Sequence, residues 1–160
     1  MKGKIGKLTV LSGIPGSGKS EYAAYCRYNF DNLEVVSTDE VRKDLYGNEE
    51  EQGDGWIVFS TAYDRILKAL KQGKDVIFDA TNVKRSGRRK IIKYFRKVFN
   101  DIYMECIYFN VPLDVCLERN SERGRVVPDE VVEKMHEEQT IPSMDEGWNN
   151  IMCAFPIYPC

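Results

Sequence analysis

Histidine is almost absent from this sequence of 160 residues, and its five cysteines form no recognisable pairs. The single histidine, His136, lies in a polar stretch beside glutamates, where a catalytic role is the less favoured interpretation. Without Cys-x-x-Cys spacing or a histidine cluster, a zinc site or a disulfide framework is not indicated. Cys106 and Cys116 lie among apolar residues and are predicted to fill the core. A bond between Cys153 and Cys160 is left open.

The sequence also lacks any apolar run close to the roughly 20 residues that cross a bilayer. Its basic start, Met1 to Lys7, leads directly into residues 8–11 and a glycine loop, which indicates a strand rather than a signal peptide. We therefore expect a cytoplasmic protein with no membrane partner. The net charge of −2 does not by itself indicate a nucleic-acid binder.

No internal repeat or low-complexity linker divides the chain, so residues 1–160 are predicted to form a single domain. Apolar runs predict strands at about 7–12, 34–37, 75–79 and 103–110. Helical periodicity predicts helices at about 19–29, 39–46, 56–71, 86–99, 112–119 and 129–139. This alternation predicts an α/β fold with a parallel sheet flanked by helices on both faces. Residues 140–160 are expected to pack as an irregular tail, and the oligomeric state is left open, a homo-oligomer included.

The most specific motif follows the first predicted strand and precedes the first predicted helix. Residues 13–20 match the pattern Gly-x-x-x-x-Gly-Lys-Ser. Glycines let the main-chain amides turn inward on phosphates, and the helix N-terminus adds partial positive charge. Lys19 is expected to reach the β- and γ-phosphates, and the Ser20 hydroxyl to ligate Mg²⁺. The motif therefore predicts a nucleoside triphosphate site.

The loop alone does not distinguish a switch GTPase, a motor ATPase and a kinase. The sequence has no Asn-Lys-x-Asp motif for reading guanine, and it is too short for most multi-subunit motor domains. A small kinase is the class that these observations favour.

Two aspartates follow predicted strands, at the edge where open α/β sheets place their ligands. Asp39 follows the second strand and could cap the next helix or accept a proton from an attacking hydroxyl. Arg42 lies on the same helical face, where it could grip an anionic acceptor. Asp79 follows the third strand and could hold Mg²⁺ through water or position Ser20. The alternatives are a capped helix with a local ion pair and, for residues 79–82, an ordinary turn.

Basic residues cluster in two further places. Arg119, Arg123 and Arg125 lie in a polar segment that could form a lid closing on ATP, with an arginine stabilising the transferred group. Residues 84–97 carry eight lysines and arginines, which either form a solvated helix face or steer a polyanion to the site.

Together these pieces resemble the 5′-hydroxyl polynucleotide kinase family, over about residues 7–139. The resemblance rests on Gly13 to Ser20, Asp39-x-x-Arg42, Val76 to Asn82, Arg88-Arg89, Val111-Pro112, Arg119 to Gly124 and Val127-Pro128. It implies a P-loop kinase fold with an arginine-containing lid, and ATP and Mg²⁺ as cofactors. The acceptor it implies is a 5′-hydroxyl end of RNA or DNA.

The same resemblance assigns roles to individual residues. It implies that Asp39 is the general base, that Arg42 contacts a phosphate of the acceptor, and that Arg123 engages the ATP phosphates. The expected ATP-binding set is Gly13, Pro15, Gly16, Ser17, Gly18, Lys19, Ser20, Arg119 and Arg123. The expected acceptor-binding set is Asp39, Arg42, Thr81, Asn82 and Arg88. Ser20 and Asp79 are expected to hold the metal, and Lys19, Asp39 and Arg123 to act in catalysis.

The resemblance leaves the acceptor open. The phosphatase domain of the phage members is missing, so 3′-phosphatase activity is not implied. Segment 140–160 is more similar to broader relatives, some of which phosphorylate aminoacylated tRNA. The alternatives are a small-metabolite kinase of the same fold, and a tRNA-directed or nucleotide-dependent binding module without acceptor chemistry.

Overall fold

The structure is a computed structural model that describes residues 3–49 and 53–154. Strands and helices alternate along these residues. In chain order they are β1 (Leu8–Ser12), α1 (Lys19–Asn29), β2 (Leu33–Ser37), α2 (Thr38–Tyr46), α3 (Gly55–Lys71), β3 (Asp75–Asp79), α4 (Arg85–Val98), β4 (Met104–Phe109), α5 (Leu113–Ser121), α6 (Asp129–Glu138), a 3₁₀ turn (Met144–Glu146) and β5 (Asn150–Ala154).

The five strands form one parallel sheet in the order β2-β3-β1-β4-β5. β1 is central, because Leu8 pairs with Val76 of β3 on one side and with Met104 of β4 on the other. All strands therefore end at the same edge, where the loops after β1, β2 and β3 meet. The predicted α/β fold with a parallel sheet is confirmed, with element ends that differ by one or two residues.

Apolar side chains alternate between the two faces of the sheet, as expected for strands covered on both sides. On one face, Leu8, Val10 and Phe78 pack in the main core with residues of α3 and α4. On the other face, Leu11 and Ile77 pack with residues of α1. A third, smaller cluster joins the phosphate loop to the segment after β4, and it contains Ile14, Val83, Val111, Cys116 and Val132. Cys106 and Cys116 are buried, as predicted.

The expectation of an irregular tail is wrong for residues 150–154. These residues form β5, which pairs in parallel with β4 from Glu105–Asn150 to Phe109–Ala154. Asn149 aligns the strand, because its backbone N–H donates to the Met104 carbonyl and its side chain accepts from the Met104 N–H. β5 is only partly buried, so it lacks the continuous apolar run that marks the inner strands. Cys160 lies outside the described residues, and its pairing with Cys153 stays untested.

Within residues 3–49 and 53–154, no helix has the length and apolar character needed to cross a membrane.

Candidate active site

The phosphate loop is held by close backbone contacts that require glycine. Gly16 has φ of 84°, and a Cβ there would lie 2.2 Å from the carbonyl oxygen of Cys116. Gly18 has φ of 98° and immediately precedes α1. Because glycine offers no capping side chain, the amides of the first turn of α1 remain available to an anion. The loop therefore presents the backbone that a triphosphate requires.

Lys19 is buried at the start of α1. Its Nζ donates to the Ile14 carbonyl at 3.0 Å and approaches Ser17 Oγ at 3.4 Å. Burial lowers the pKa of Lys19 to about 8, and the nearby carboxylate of Asp79 opposes that shift. The ammonium group thus contacts a carbonyl and a hydroxyl of the loop, both of which are neutral. Phosphate oxygens would supply the anionic partner that it can bind more strongly.

A hydrogen bond joins Ser20, in the first turn of α1, to Asp79, the last residue of β3. Ser20 Oγ donates to Asp79 Oδ2 at 3.0 Å, and Asp79 is almost completely buried. Burial raises the pKa of Asp79, against the opposing effect of Lys19. Within the described ranges no three carboxylate, histidine or cysteine side chains group into a metal cage. One hydroxyl and one carboxylate do fit Mg²⁺, which keeps several waters and takes its other ligands from substrate phosphates.

Asp39 lies in the first turn of α2, but it does not cap the helix. The cap is Ser37, whose Oγ accepts from the Glu40 N–H at 3.5 Å. The carboxylate of Asp39 instead contacts three arginines. Arg42 Nη1 donates to Oδ1 at 2.9 Å, Arg125 Nη1 also donates to Oδ1, and Arg123 Nη2 lies 4.0 Å from Oδ2. Asp39 is therefore not the cap, the local ion pair with Arg42 is present, and the carboxylate also faces the arginines of the predicted lid.

The lid is the loop between α5 and α6, and Asn120 fixes its base. Asn120 is fully buried, its Nδ2 donates to the Val127 carbonyl at 2.6 Å, and its Oδ1 accepts from the Val127 N–H at 3.2 Å. These two bonds close the segment that carries Arg123 and Arg125. The sequence analysis gave Asn120 no role. Its position on the buried side of α5 was a signal, because a buried polar side chain is expected to form hydrogen bonds.

A cavity of about 700 Å³ lies between the phosphate loop, the start of α2 and the lid. Its polar lining includes Lys19, Ser20, Asp39, Arg42, Asp79, Thr81, Arg123 and Arg125. Its apolar lining includes Pro15, Phe59, Ala80, Val126, Val127, Pro128, Val131 and Met135. The structure therefore brings together most of the site residues that the sequence predicted. Of these apolar residues, Pro15 was predicted. Phe59 of α3, Val126 to Pro128 of the lid, and Val131 and Met135 of α6 were missed, because they come from separate elements.

A smaller cleft on the other side of the loop is lined by Gly16, Gly18, Lys19, Ser20, Glu21, Arg119 and Arg123. Arg119 thus lies beside the phosphate loop, as predicted for a residue of the ATP site. Arg123 lines both the cleft and the larger cavity. It occupies the boundary between the two, where a phosphoryl group would pass from donor to acceptor.

The structure gives Asn82 another role and does not place it in the lining of the cavity, so its predicted contact with the acceptor stays a prediction. Asn82 has φ of 45°, and its side-chain amide donates to the Leu11 carbonyl at 2.9 Å. Its own carbonyl accepts from Ser12 Oγ at 2.9 Å. Asn82 is therefore used to shape the turn after β3, and it is Thr81 that reaches the cavity.

The prediction that Arg88 binds the acceptor is wrong. Arg88 is fully buried, and its Nε donates to Glu146 Oε1 at 2.7 Å. Its Nη1 donates to the carbonyls of Asn82 and Val83. The buried residues of α4 are Arg88, Ile91, Ile92 and Phe95, so the helical spacing of the apolar stripe already placed Arg88 inside.

Comparison with known proteins reveals similar chains of several activities. The L-seryl-tRNA(Sec) kinase of Methanococcus maripaludis is 31% identical over 147 residues, which are 89% of this chain and 56% of that protein. A chain of the Pnkp1/Rnl/Hen1 RNA repair complex has a similar fold, with a TM-score of 0.70, 22% identity, and coverage of 85% of this chain and 44% of that chain. A gluconokinase from Sinorhizobium meliloti 1021 has a TM-score of 0.60 and 20% identity, with coverage of 98% and 85%.

This chain therefore spans about half the length of the first two proteins. The two solved structures establish a shared fold. A family model described as an AAA domain matches residues 8–142, which include the phosphate loop, both aspartates and the lid. The chain belongs to this AAA-domain family, and it has the P-loop kinase fold that the resemblance implied.

Proposed function

We propose that this protein transfers the γ-phosphoryl group of ATP to the 5′-hydroxyl end of RNA or DNA. The observation that carries the proposal is the position of Asp39, which lines one cavity together with Lys19, Ser20 and Asp79 of the donor site. The same cavity offers arginines and an apolar wall to an acceptor. Donor and acceptor groups thus have a shared space in which an in-line displacement can take place.

The donor half binds the triphosphate through the loop. The amides after Gly16 and Gly18 bind phosphate oxygens, and Lys19 neutralises charge on the β- and γ-phosphates. Ser20 and Asp79 would hold Mg²⁺, which when bound neutralises charge on the phosphates. Arg123, at the boundary of cleft and cavity, stabilises the charge that spreads over the transferred group.

Asp39 is the proton acceptor in this proposal. The acceptor's hydroxyl oxygen forms a bond to the γ-phosphorus while the bond from that phosphorus to the β,γ-bridging oxygen breaks, and ADP leaves. The hydroxyl proton passes to the carboxylate of Asp39. Oδ2 is the better placed oxygen, because Oδ1 already accepts from Arg42 and Arg125.

The apolar wall favours a nucleotide over a small sugar acid as the acceptor. Phe59, Val126, Val131 and Met135 line the cavity together with the polar groups, and Phe59 and Val131 are about 40% exposed. A nucleobase has an apolar face that such side chains can cover, whereas a polyhydroxylated acid would leave them without a matching surface.

Incubation with γ-labelled ATP, Mg²⁺ and a 5′-hydroxyl oligonucleotide tests the proposal. The expected result is label at the 5′ end, which a 5′-phosphorylated oligonucleotide of the same sequence does not take up. Parallel reactions with gluconate and with intact tRNA test the alternatives. Transfer to gluconate or to tRNA alone, with the oligonucleotide unlabelled, would overturn the proposal.

A further inference from the structure

We propose that Arg125 is a specificity-determining residue that binds an anionic group beside the acceptor's hydroxyl, and that it rests on Asp39 until that group arrives. This inference rests on the proposed function and deepens it. The resemblance already implies that Arg42 contacts a phosphate of the acceptor. The new step is that Arg125 binds the same group beside Arg42, a task separate from that of Arg123. The sequence motifs gave Arg125 no individual role.

The lid arginines are divided between the two sides of the site. Arg119 lines the cleft beside the phosphate loop, Arg123 lines both the cleft and the cavity, and Arg125 lines the cavity. Arg125 is also mostly buried, with 15% of its side chain exposed. Arg119 and Arg123 thus lie within reach of a triphosphate in the loop, while Arg125 contacts Asp39, the proposed proton acceptor.

The acceptor's side holds more positive charge than its carboxylate can match. Arg42 and Arg125 both donate to one oxygen, Oδ1 of Asp39. In addition, Arg42 Nε is buried and has no hydrogen-bond partner among the described residues. A buried guanidinium nitrogen without an acceptor is costly, and an incoming anion would satisfy it.

A phosphate suits this arrangement better than the carboxylate does. Its oxygens can accept from both guanidinium groups at once, whereas Asp39 offers them a single shared oxygen. When Arg42 and Arg125 transfer to the phosphate, Oδ1 of Asp39 loses both of its arginine donors, and the carboxylate becomes available to the acceptor's hydroxyl. Binding of the correct acceptor thus prepares the base for the reaction.

Kinetics with two minimal acceptors test this inference. A nucleoside and the corresponding nucleoside 3′-monophosphate both carry a 5′-hydroxyl, but only the second carries the adjacent phosphate. The wild-type kcat/KM is expected to favour the 3′-monophosphate at least about a hundredfold. Arg125→Gln is expected to reduce that preference about tenfold or more, because kcat/KM for the 3′-monophosphate falls much more than kcat/KM for the nucleoside. Arg125→Lys should retain part of the preference.

Arg65→Gln is the matched control, because Arg65 forms an exposed ion pair with Asp44 and does not line the cavity. It should leave both rates unchanged. If Arg125→Gln lowers both rates by the same factor, Arg125 only orients Asp39 and the inference is overturned. The wild type could phosphorylate the 5′-hydroxyl oligonucleotide and yet show no preference for the nucleoside 3′-monophosphate over the nucleoside. That result overturns the inference but not the proposed function. No transfer to any 5′-hydroxyl nucleic acid overturns both.

Discussion

Arg88 and Glu146 form a fully buried ion pair that joins α4 to the segment before β5, with 2.7 Å between Arg88 Nε and Glu146 Oε1. The same guanidinium donates to the carbonyls of Asn82 and Val83. The pair therefore fixes the loop that carries Thr81 to the cavity. Nearby, Arg85 in the first turn of α4 pairs with Asp145, and Lys84, just before α4, pairs with Glu138.

Removing one partner of this pair is expected to be strongly destabilising. Arg88→Met leaves Glu146 buried and unpaired, and it should lower the free energy of unfolding by about 3–5 kcal/mol. The double variant Arg88→Met/Glu146→Met should be more stable than Arg88→Met alone, because no uncompensated charge remains. Denaturant unfolding of the single and double variants measures this. Additive losses would mean that the two side chains do not act as a pair.

Asp39→Asn is expected to abolish transfer while the protein stays folded and binds ATP. Loss of the general base should lower kcat by about a thousandfold. Helix α2 should remain intact, because Ser37 supplies its cap. Single-turnover transfer to a 5′-hydroxyl oligonucleotide and equilibrium binding of a non-hydrolysable ATP analogue measure the two properties. Near-normal transfer by the variant would remove Asp39 from the chemistry.

Lys19→Met should stabilise the nucleotide-free protein and abolish transfer. Burial lowers the pKa of Lys19 from 10.5 to about 8. Below pH 8 the lysine is charged in both the folded and unfolded states, so the full cost of its burial, about 3 kcal/mol, is present. Between pH 8 and 10.5 the folded state loses the proton first. The stability of the wild type should therefore approach that of the variant as pH rises.

Thermal or denaturant unfolding of both proteins from pH 7 to pH 10 measures this difference. Lys74→Met is the control, since Lys74 and its partner Glu34 are both well exposed and neither lines the cavity. A stability difference between Lys19→Met and the wild type that is independent of pH would show that charge burial is not its cause.

Asn120→Ala is expected to loosen the lid. The substitution removes both hydrogen bonds to Val127 and leaves two backbone groups unpaired, at a cost of about 1–3 kcal/mol. Amide hydrogen exchange should accelerate in residues 122–128, and KM for the acceptor should rise more than KM for ATP. Ser121→Ala is a neighbouring control, because the Ser121 hydroxyl bonds only within α5, to the Glu118 carbonyl. Unchanged exchange in residues 122–128 would contradict the role of Asn120.

The phosphate loop and the inner strands could be predicted from the sequence because their signals are local. Gly13 to Ser20 form a fixed motif, and β3 is a short apolar run with a turn after it. Asp39 and Asp79 were placed correctly near the loop, since parallel strands end at one edge. The helix α1 begins at Lys19 and ends at Asn29, as its periodicity predicts.

The remaining features depend on contacts between distant residues. Arg88 and Glu146 are 58 positions apart, and their pairing could not be inferred from the charge of α4. β5 is a partly exposed edge strand whose register is set by Asn149 and Met104. The contact of Arg125 with Asp39 joins residues 86 positions apart. Such pairings are chosen by tertiary packing, which a local pattern does not record.

The hydrogen bond from the Gly13 N–H to the Thr81 carbonyl, 2.9 Å long, ties the first residue of the phosphate loop to the wall of the acceptor's cavity. The two halves of the site thus share one rigid frame within the sheet. Folding of the chain fixes the distance between the two substrate sites. Aligning the two substrates in each turnover therefore costs little additional entropy. The lid is the part of the site outside this frame, so we expect lid opening to limit kcat. In that case kcat should fall as solvent viscosity rises.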